Sequence, residues 1–146
     1  MYSILVRFLQ RKSVTCRPST VSCLATRLAH FGTFIAWIDP DGTPATLQRC
    51  QHIEPWMVAL THAENTMSGG VISVAEQARR ILAAANFLSE INEWDWPEAF
   101  TRRLFYSADN PRLPQLLPRF LPPDADRRLT QELTASKYRL AADALC

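Results

Sequence analysis

The stretch PSTVSCLATRLAHFGTFIAWI, from Pro18 to Ile38, decides the fold of this 146-residue chain. Its apolar residues recur at alternating steps of three and four, so on an α-helix they form one stripe that a core can bury. The stripe consists of Val21, Leu24, Leu28, Phe31, Ile35 and Ile38. Ser19 can cap the start of this helix, and Pro40 with Gly42 ends it. The sequence therefore predicts a helix over residues 19–38.

Three further helices are predicted after the turn DPDGTPA. A second helix over 46–62 is expected to kink or restart at Pro55. The third, over 71–94, is the longest, and a short fourth follows over 98–106. The stripe of the third helix is Val74, Ala78, Ile81, Ala85 and Leu88. These patterns predict an all-α protein built on a four-helix bundle.

Two of the predicted helices carry a narrow polar flank beside the apolar stripe. The flank of the first helix consists of Thr20, Cys23 and Arg27. The flank of the third helix consists of Ser73, Gln77 and Arg80. A helix that buries its stripe can present such a flank to a partner. We therefore expect the two flanks to form one surface.

The remaining segments differ in composition from the predicted bundle. Residues 1–17 show no clear period and carry four cations, so we predict a basic flexible arm ahead of a helical domain over 18–107. Half of the ten prolines fall within 13 residues of the 108–123 segment, which predicts an extended linker. A terminal helix stub is expected over 124–146.

Charge and cysteine usage narrow the functional classes. The formal net charge is only +2, although all but two of the sixteen cations are Arg, which suits bidentate contacts to phosphate and base edges. The four cysteines form no C-x-x-C pair and follow no secretory signal. We expect no membrane span, because no stretch approaches about twenty consecutive apolar residues. We therefore predict a soluble cytoplasmic protein with reduced thiols and no membrane partner.

Catalytic and metal-binding motifs are not found in the sequence. It contains no Gly-rich phosphate loop, no G-x-S-x-G and no H-E-x-x-H, and no second pair of ligands accompanies Cys50 and His52. We therefore expect no metal site and no cofactor. An enzyme that uses Cys50 and His52 stays open as one alternative.

The order of these features resembles the amino-terminal core-binding (SAM-like) domain of tyrosine recombinases, the phage-integrase type. The resemblance covers about residues 15–135, and the LPRFLP element carries most of it. Its carriers are Ser19, Thr20, Phe34, Trp37, Ser73, Val74, Phe87, Leu88 and the segment from Asp109 to Pro122. The resemblance implies a four-helix domain that a linker joins to a catalytic domain, so that the two clamp a DNA duplex from opposite sides.

The resemblance also implies which residues face DNA. They come from the flanks of the first and third helices, which are the same flanks that the spacing shows. The implied DNA contacts are Thr20, Cys23, Arg27, Ser73, Gln77 and Arg80. Helices fit the major groove, short hydroxyl side chains can hold phosphates, and Arg reaches phosphate or guanine. Double-stranded DNA and other recombinase subunits are the expected partners.

The catalytic residues of that family have no counterparts here. Recombinase catalysis needs an Arg, a Lys, an H-x-x-R motif and a nucleophilic Tyr, and no His of this chain is followed three residues later by Arg. We therefore expect a recombinase truncated before its catalytic domain. It would bind double-stranded DNA in the context of recombination and integration, without enzyme activity or a small-molecule substrate. The second alternative is a helical protein–protein interaction module with no DNA affinity.

Overall fold

The computed structural model describes residues 1–100 and 102–109. This part of the chain is all-α, as predicted, and the pairing of Glu64 with Val71 is an isolated β-bridge. Its four α-helices are α1 (Tyr2–Thr15), α2 (Pro18–Ile38), α3 (Glu54–Thr61) and α4 (Val74–Glu93). The predicted linker from residue 110 onward and the predicted stub over 124–146 lie outside the described residues.

Helix α2 forms the centre of the core, and its predicted stripe is confirmed. Leu28, Phe31 and Ile35 are almost completely buried, and the rest of the stripe is half-buried. Pro18 occupies the first turn, where its missing N–H costs nothing. Ser19 therefore lies inside the helix, and among the described residues no side chain caps the start of α2. The capping role predicted for Ser19 is wrong.

By length and composition, α2 could also cross a membrane. Its most apolar window has a mean hydropathy of 1.3, and this departs from the expectation that no stretch approaches a span. A core helix of a water-soluble protein satisfies the same two criteria. In this fold the charged residue of α2, Arg27, pairs with Glu76 of α4, and the stripe packs against the other helices.

The expected flexible arm over residues 1–17 is corrected by helix α1. Ile4, Leu5 and Phe8 are buried in the core. The Phe8 ring packs edge-on against Phe87 and stacks on Trp94, with centroid distances of 4.9 and 5.5 Å. Because α1 carries exposed apolar residues such as Tyr2, Val6 and Val14 beside the buried ones, its apolar period is weak. The three buried side chains nevertheless suffice to fold α1 onto α2 and α4.

The cations of α1 are held by the turn that follows α4. Arg7 lies over the Trp96 ring at 4.1 Å and pairs with Glu98 at 2.6 Å. Arg11 lies over the Trp94 ring at 4.2 Å. Cation–π contacts of this kind fix a guanidinium against an aromatic face. Arg7 and Arg11 therefore help to attach α1 to the turn that follows α4.

The second predicted helix is shorter than expected. A π-helical turn, Arg49–Ile53, precedes α3, and Pro55 lies in the first turn of α3, where proline is tolerated. The fourth predicted helix over 98–106 is not formed in the described part of that segment. Its chain instead runs as irregular backbone to a short 3₁₀ turn, Ser107–Asp109.

Arg49 fastens this irregular segment to the helices. Its guanidinium donates to both carboxylate oxygens of Asp109, at 2.7 and 2.9 Å, and to the Leu104 carbonyl at 2.8 Å. The Arg49 side chain also lies over the Tyr106 ring at 4.7 Å. The hydrogen bonds from Arg49 hold the pKa of Asp109 below its ordinary value. The contacts of the Arg49 side chain, rather than a fourth helix, thus attach this segment to the rest of the domain.

Replacing Phe8 with Ala tests the placement of α1. We expect a loss of about 3–5 kcal/mol in the free energy of unfolding, because the change leaves a cavity between Phe87 and Trp94. Urea unfolding followed by circular dichroism measures it. Val14→Ala, at an 85% exposed position of the same helix, is the matched control. A Phe8→Ala variant as stable as that control would restore the flexible arm.

Replacing Asp109 with Asn tests the Arg49 contact. We expect a loss of about 1–3 kcal/mol near neutral pH, because hydrogen bonds to a charged group are lost. The folded state lowers the pKa of Asp109, so its contribution is complete above the ordinary value of 3.8 and declines as the pH falls through the lower folded value. Denaturation of both proteins between about pH 7 and pH 3 should show the difference shrinking at the acid end.

The control for this pH series is Asp41→Asn, at an exposed position. That variant should follow the wild-type curve at every pH. A difference between the wild type and Asp109→Asn that stays constant down to the lowest pH would contradict the assignment of the carboxylate as the source of the stabilisation.

Candidate nucleic-acid interface

Helices α2 and α4 pack with their chains running in opposite directions. Thr20, near the start of α2, lines the same groove as Glu90, near the end of α4. Arg27 lies about two turns further along α2 than Thr20. It pairs with Glu76 in the first turn of α4. The starts of the two helices therefore lie at opposite ends of their contact. The two helix starts are therefore not neighbours on the protein surface.

The flank predicted on α2 does border this contact. Thr20, Cys23 and Arg27 line a groove of about 430 Å³ between α1, α2 and α4. Thr20 and Cys23 are exposed, and the Arg27 side chain keeps 30% of its surface exposed. The floor of the groove is apolar, and Lys12 and Glu90 form an ion pair of 2.6 Å at its edge. The α2 flank is thus free to meet a partner.

The flank predicted on α4 has a different position. The buried face of α4 is made by Ala84, Phe87, Leu88 and Ile91, whereas Val74 and Leu82 are exposed. This face lies roughly a quarter of a turn around the helix from the predicted stripe. The residues predicted to be the polar flank, Ser73, Gln77 and Arg80, consequently lie on the line of the buried face. Ser73 is exposed, whereas Gln77 and Arg80 are half-buried, so the three residues do not form one solvent-facing flank.

Each of these three residues has a role in the fold. The Ser73 hydroxyl accepts a hydrogen bond from the Glu76 N–H at 3.2 Å and so caps α4. The Gln77 amide donates to the Ile72 carbonyl at 3.3 Å. The Arg80 side chain is only 15% exposed. Arg80 alone reaches the α2 flank, through Glu76, which also contacts Arg27.

Arg80 also lies close to His30 of α2. The Trp56 indole N–H donates to Nδ1 of His30 at 3.1 Å, so this nitrogen carries no proton. Burial and, to a smaller extent, the nearby charge of Arg80 lower the pKa of His30. His30 is therefore neutral near pH 7, and its Nδ1 accepts the hydrogen bond from Trp56.

Glu76 connects the cations of the two helices, and the sequence reasoning missed it. One of its oxygens lies 3.4 Å from Nε of Arg27 and 3.6 Å from Nε of Arg80, and the other lies 3.7 Å from Nη1 of Arg79. Three guanidinium groups thus share one carboxylate. The pattern Ser-x-x-Glu from Ser73 to Glu76 is a helix-start signature, and it indicates the true start of α4.

The enzyme alternative relies on Cys50 and His52, and the structure places these two residues in different environments. Cys50 is exposed, whereas His52 is buried. Nδ1 of His52 accepts the Gln48 N–H at 2.9 Å, and Nε2 lies 3.4 Å from the Asp39 carboxylate. Both ring nitrogens of His52 therefore face groups of the fold. Within residues 1–100 and 102–109, no group of three His, Cys, Asp or Glu side chains could hold a metal ion.

Comparison with known proteins adds no relative. No protein-family model, curated protein or solved structure matches this chain.

Replacing Arg80 with Gln tests the inward position of this side chain. We expect the pKa of His30 to rise, because a nearby positive charge is removed, while staying below its ordinary value of 6.5, because burial remains. An NMR titration of the imidazole carbon-bound protons measures this shift. Arg79→Gln, at the exposed neighbouring position, should leave the pKa of His30 nearly unchanged. Equal effects of the two variants would contradict the placement of Arg80 beside His30.

Proposed function

We propose that this protein binds double-stranded DNA without catalysing a reaction on it, in the context of DNA recombination and integration. One observation carries the proposal: three guanidinium groups converge on a single carboxylate where α2 crosses α4. The exposed Thr20 and Cys23 continue this surface along α2. The recombination context rests on the order of sequence motifs that resemble a core-binding domain.

The charge of this surface suits the phosphate backbone. Arg27, Arg79 and Arg80 exceed Glu76 by two positive charges, and guanidinium groups bind phosphate oxygens in bidentate geometry. The exposed Arg17 lies at the start of α2, where the helix dipole also favours an anion. The surface could therefore hold two or more phosphates along one strand.

The affinity should be modest. Cationic and acidic residues are equal in number over residues 1–109, so no large positive field surrounds the surface. A surface that neutralises only a few phosphates binds weakly at physiological salt, and its affinity falls linearly with salt on a log–log scale. In a recombinase such a surface is one half of a clamp, and other recombinase subunits would supply further contacts. The proposal requires no cofactor, metal or small-molecule substrate.

Replacing both Arg27 and Arg79 with Ala tests this interface. We expect the affinity for DNA to fall at least about tenfold at low salt and the log–log salt slope to decrease by up to about 1.8, because two phosphate contacts are lost. Fluorescence anisotropy of a labelled duplex of about 30 base pairs, at several salt concentrations, measures both quantities.

The control for this experiment is Arg102→Ala, at an exposed position in the irregular segment that follows α4. It removes the same type of charge and should leave the affinity and the slope nearly unchanged. Circular dichroism should show that all variants keep their helices. Unchanged binding in the double variant, with binding by the wild type, would overturn the proposed surface.

A protein–protein interaction module is the second candidate, because an apolar groove lies open between α1 and α2. The groove has a volume of about 160 Å³ and includes the exposed Tyr2 and Val6. Trp37, at the end of α2, is 78% exposed. Exposed apolar side chains of this kind are found at protein interfaces. Sedimentation separates the candidates: a concentration-dependent oligomer with no DNA affinity would favour the interaction module.

A further inference from the structure

Glu76 binds its three arginines loosely in comparison with the other ion pairs of the fold. Its contacts with Arg27, Arg79 and Arg80 are 3.4, 3.7 and 3.6 Å long. The pairs that fasten the fold are much shorter, at 2.6 Å for Arg7 with Glu98 and 2.7 Å for Arg49 with Asp109.

The geometry also leaves hydrogen-bond donors unused. Nε of Arg80 is buried and has no hydrogen-bond acceptor within the described residues, although the nearest Glu76 oxygen is 3.6 Å away. Arg79 keeps 54% of its side chain exposed, so its remaining donors face water. A carboxylate has two oxygens, and two oxygens cannot satisfy three five-donor groups.

The stem of Arg80 is already ordered. Its side chain is only 15% exposed, and its Nε is buried. Little conformational entropy would therefore be lost when this guanidinium binds an anion. The cluster is thus an ordered set of donors that is incompletely satisfied by a weak internal acceptor.

We infer that Glu76 is an internal competitor of the DNA phosphate, which holds Arg27, Arg79 and Arg80 together in the free protein and lowers their affinity for an incoming phosphodiester. This inference rests on the proposed DNA binding and adds to it a residue that sets its strength. Each phosphodiester offers two anionic oxygens, as Glu76 does, but successive phosphates along a strand together offer more acceptors than one carboxylate, so the arginines exchange the carboxylate for phosphates on binding. After this exchange the Glu76 carboxylate keeps its negative charge, which repels the phosphate and limits the affinity for DNA.

Replacing Glu76 with Gln removes the charge and retains the shape. Gln is also accepted at this third position of a helix, and the backbone N–H that Ser73 caps is unchanged. We expect the affinity for duplex DNA to rise about three- to tenfold at low salt and the log–log salt slope to become steeper by up to about 0.9. Anisotropy titrations at several salt concentrations measure both changes.

The matched control is Glu93→Gln near the end of α4. Glu93 is exposed and makes no ion pair with another described residue, and it lies about 25 Å from Glu76 along the helix axis. The control removes the same net charge, so any effect of overall charge appears in both variants. The inference is overturned when the Glu76→Gln variant binds DNA only as tightly as the Glu93→Gln variant, or more weakly than the wild type. Either outcome leaves the proposed function intact.

A second measurement makes the inference independent of DNA. Inorganic pyrophosphate is titrated into both proteins while the Nε–H resonances of Arg27 and Arg80 are followed by NMR. We expect these resonances to shift and the Glu76→Gln variant to bind pyrophosphate about three- to tenfold more tightly. If neither protein binds DNA but this difference is found, the proposed function fails and the competition by Glu76 stands. Equal pyrophosphate affinities overturn the inference.

Discussion

The burial of Phe8 is the contact on which the rest of this fold depends. Its ring lies between Phe87 of α4 and Trp94 at the end of that helix, so one side chain joins α1 to α4. The turn after α4 is then close enough for Trp96 to lie beneath Arg7. Phe8 also lines the groove that the α2 flank borders, together with Phe87 of α4. The same aromatic packing therefore shapes the candidate interface.

The sequence predicted best those elements whose apolar period is complete. Helix α2 lies where its six-residue stripe requires, because a full stripe has one orientation that buries it. The stripe of α4 was ambiguous, because alanine and leucine occur on several of its faces, and the large side chain of Phe87 decided which face is buried. This rotation leaves Gln77 and Arg80 half-buried, while Ser73 at the start of the helix stays exposed. The α2 half of the interface was thus predictable, whereas the α4 half was not.

Contacts between distant residues explain the other differences. Helix α1 carries apolar residues at exposed as well as buried positions, and its contacts with α2 and α4 select the face that is buried. The 98–106 segment has helix-forming residues, but Arg49 provides better hydrogen bonds to an irregular chain through the Leu104 carbonyl and Asp109. The contacts of Glu76 with its arginines are longer than the Arg7–Glu98 and Arg49–Asp109 pairs that fasten segments of the fold. Loosely held arginines at a surface are suited to exchange one anion for another.

The covering of Phe8 by residues about eighty positions later has a consequence for the synthesis of the chain. Helices α1 and α2 are joined by only Cys16 and Arg17 and leave the ribosome early, so they can form a helical hairpin before α4 exists. At 5–20 residues per second, the ribosome needs roughly 4–16 s to deliver Phe87 after Phe8. During that interval the Phe8 ring remains uncovered on the nascent chain. A nascent chain therefore exposes an aromatic side chain that the folded domain hides, and apolar surface exposed in this way favours aggregation.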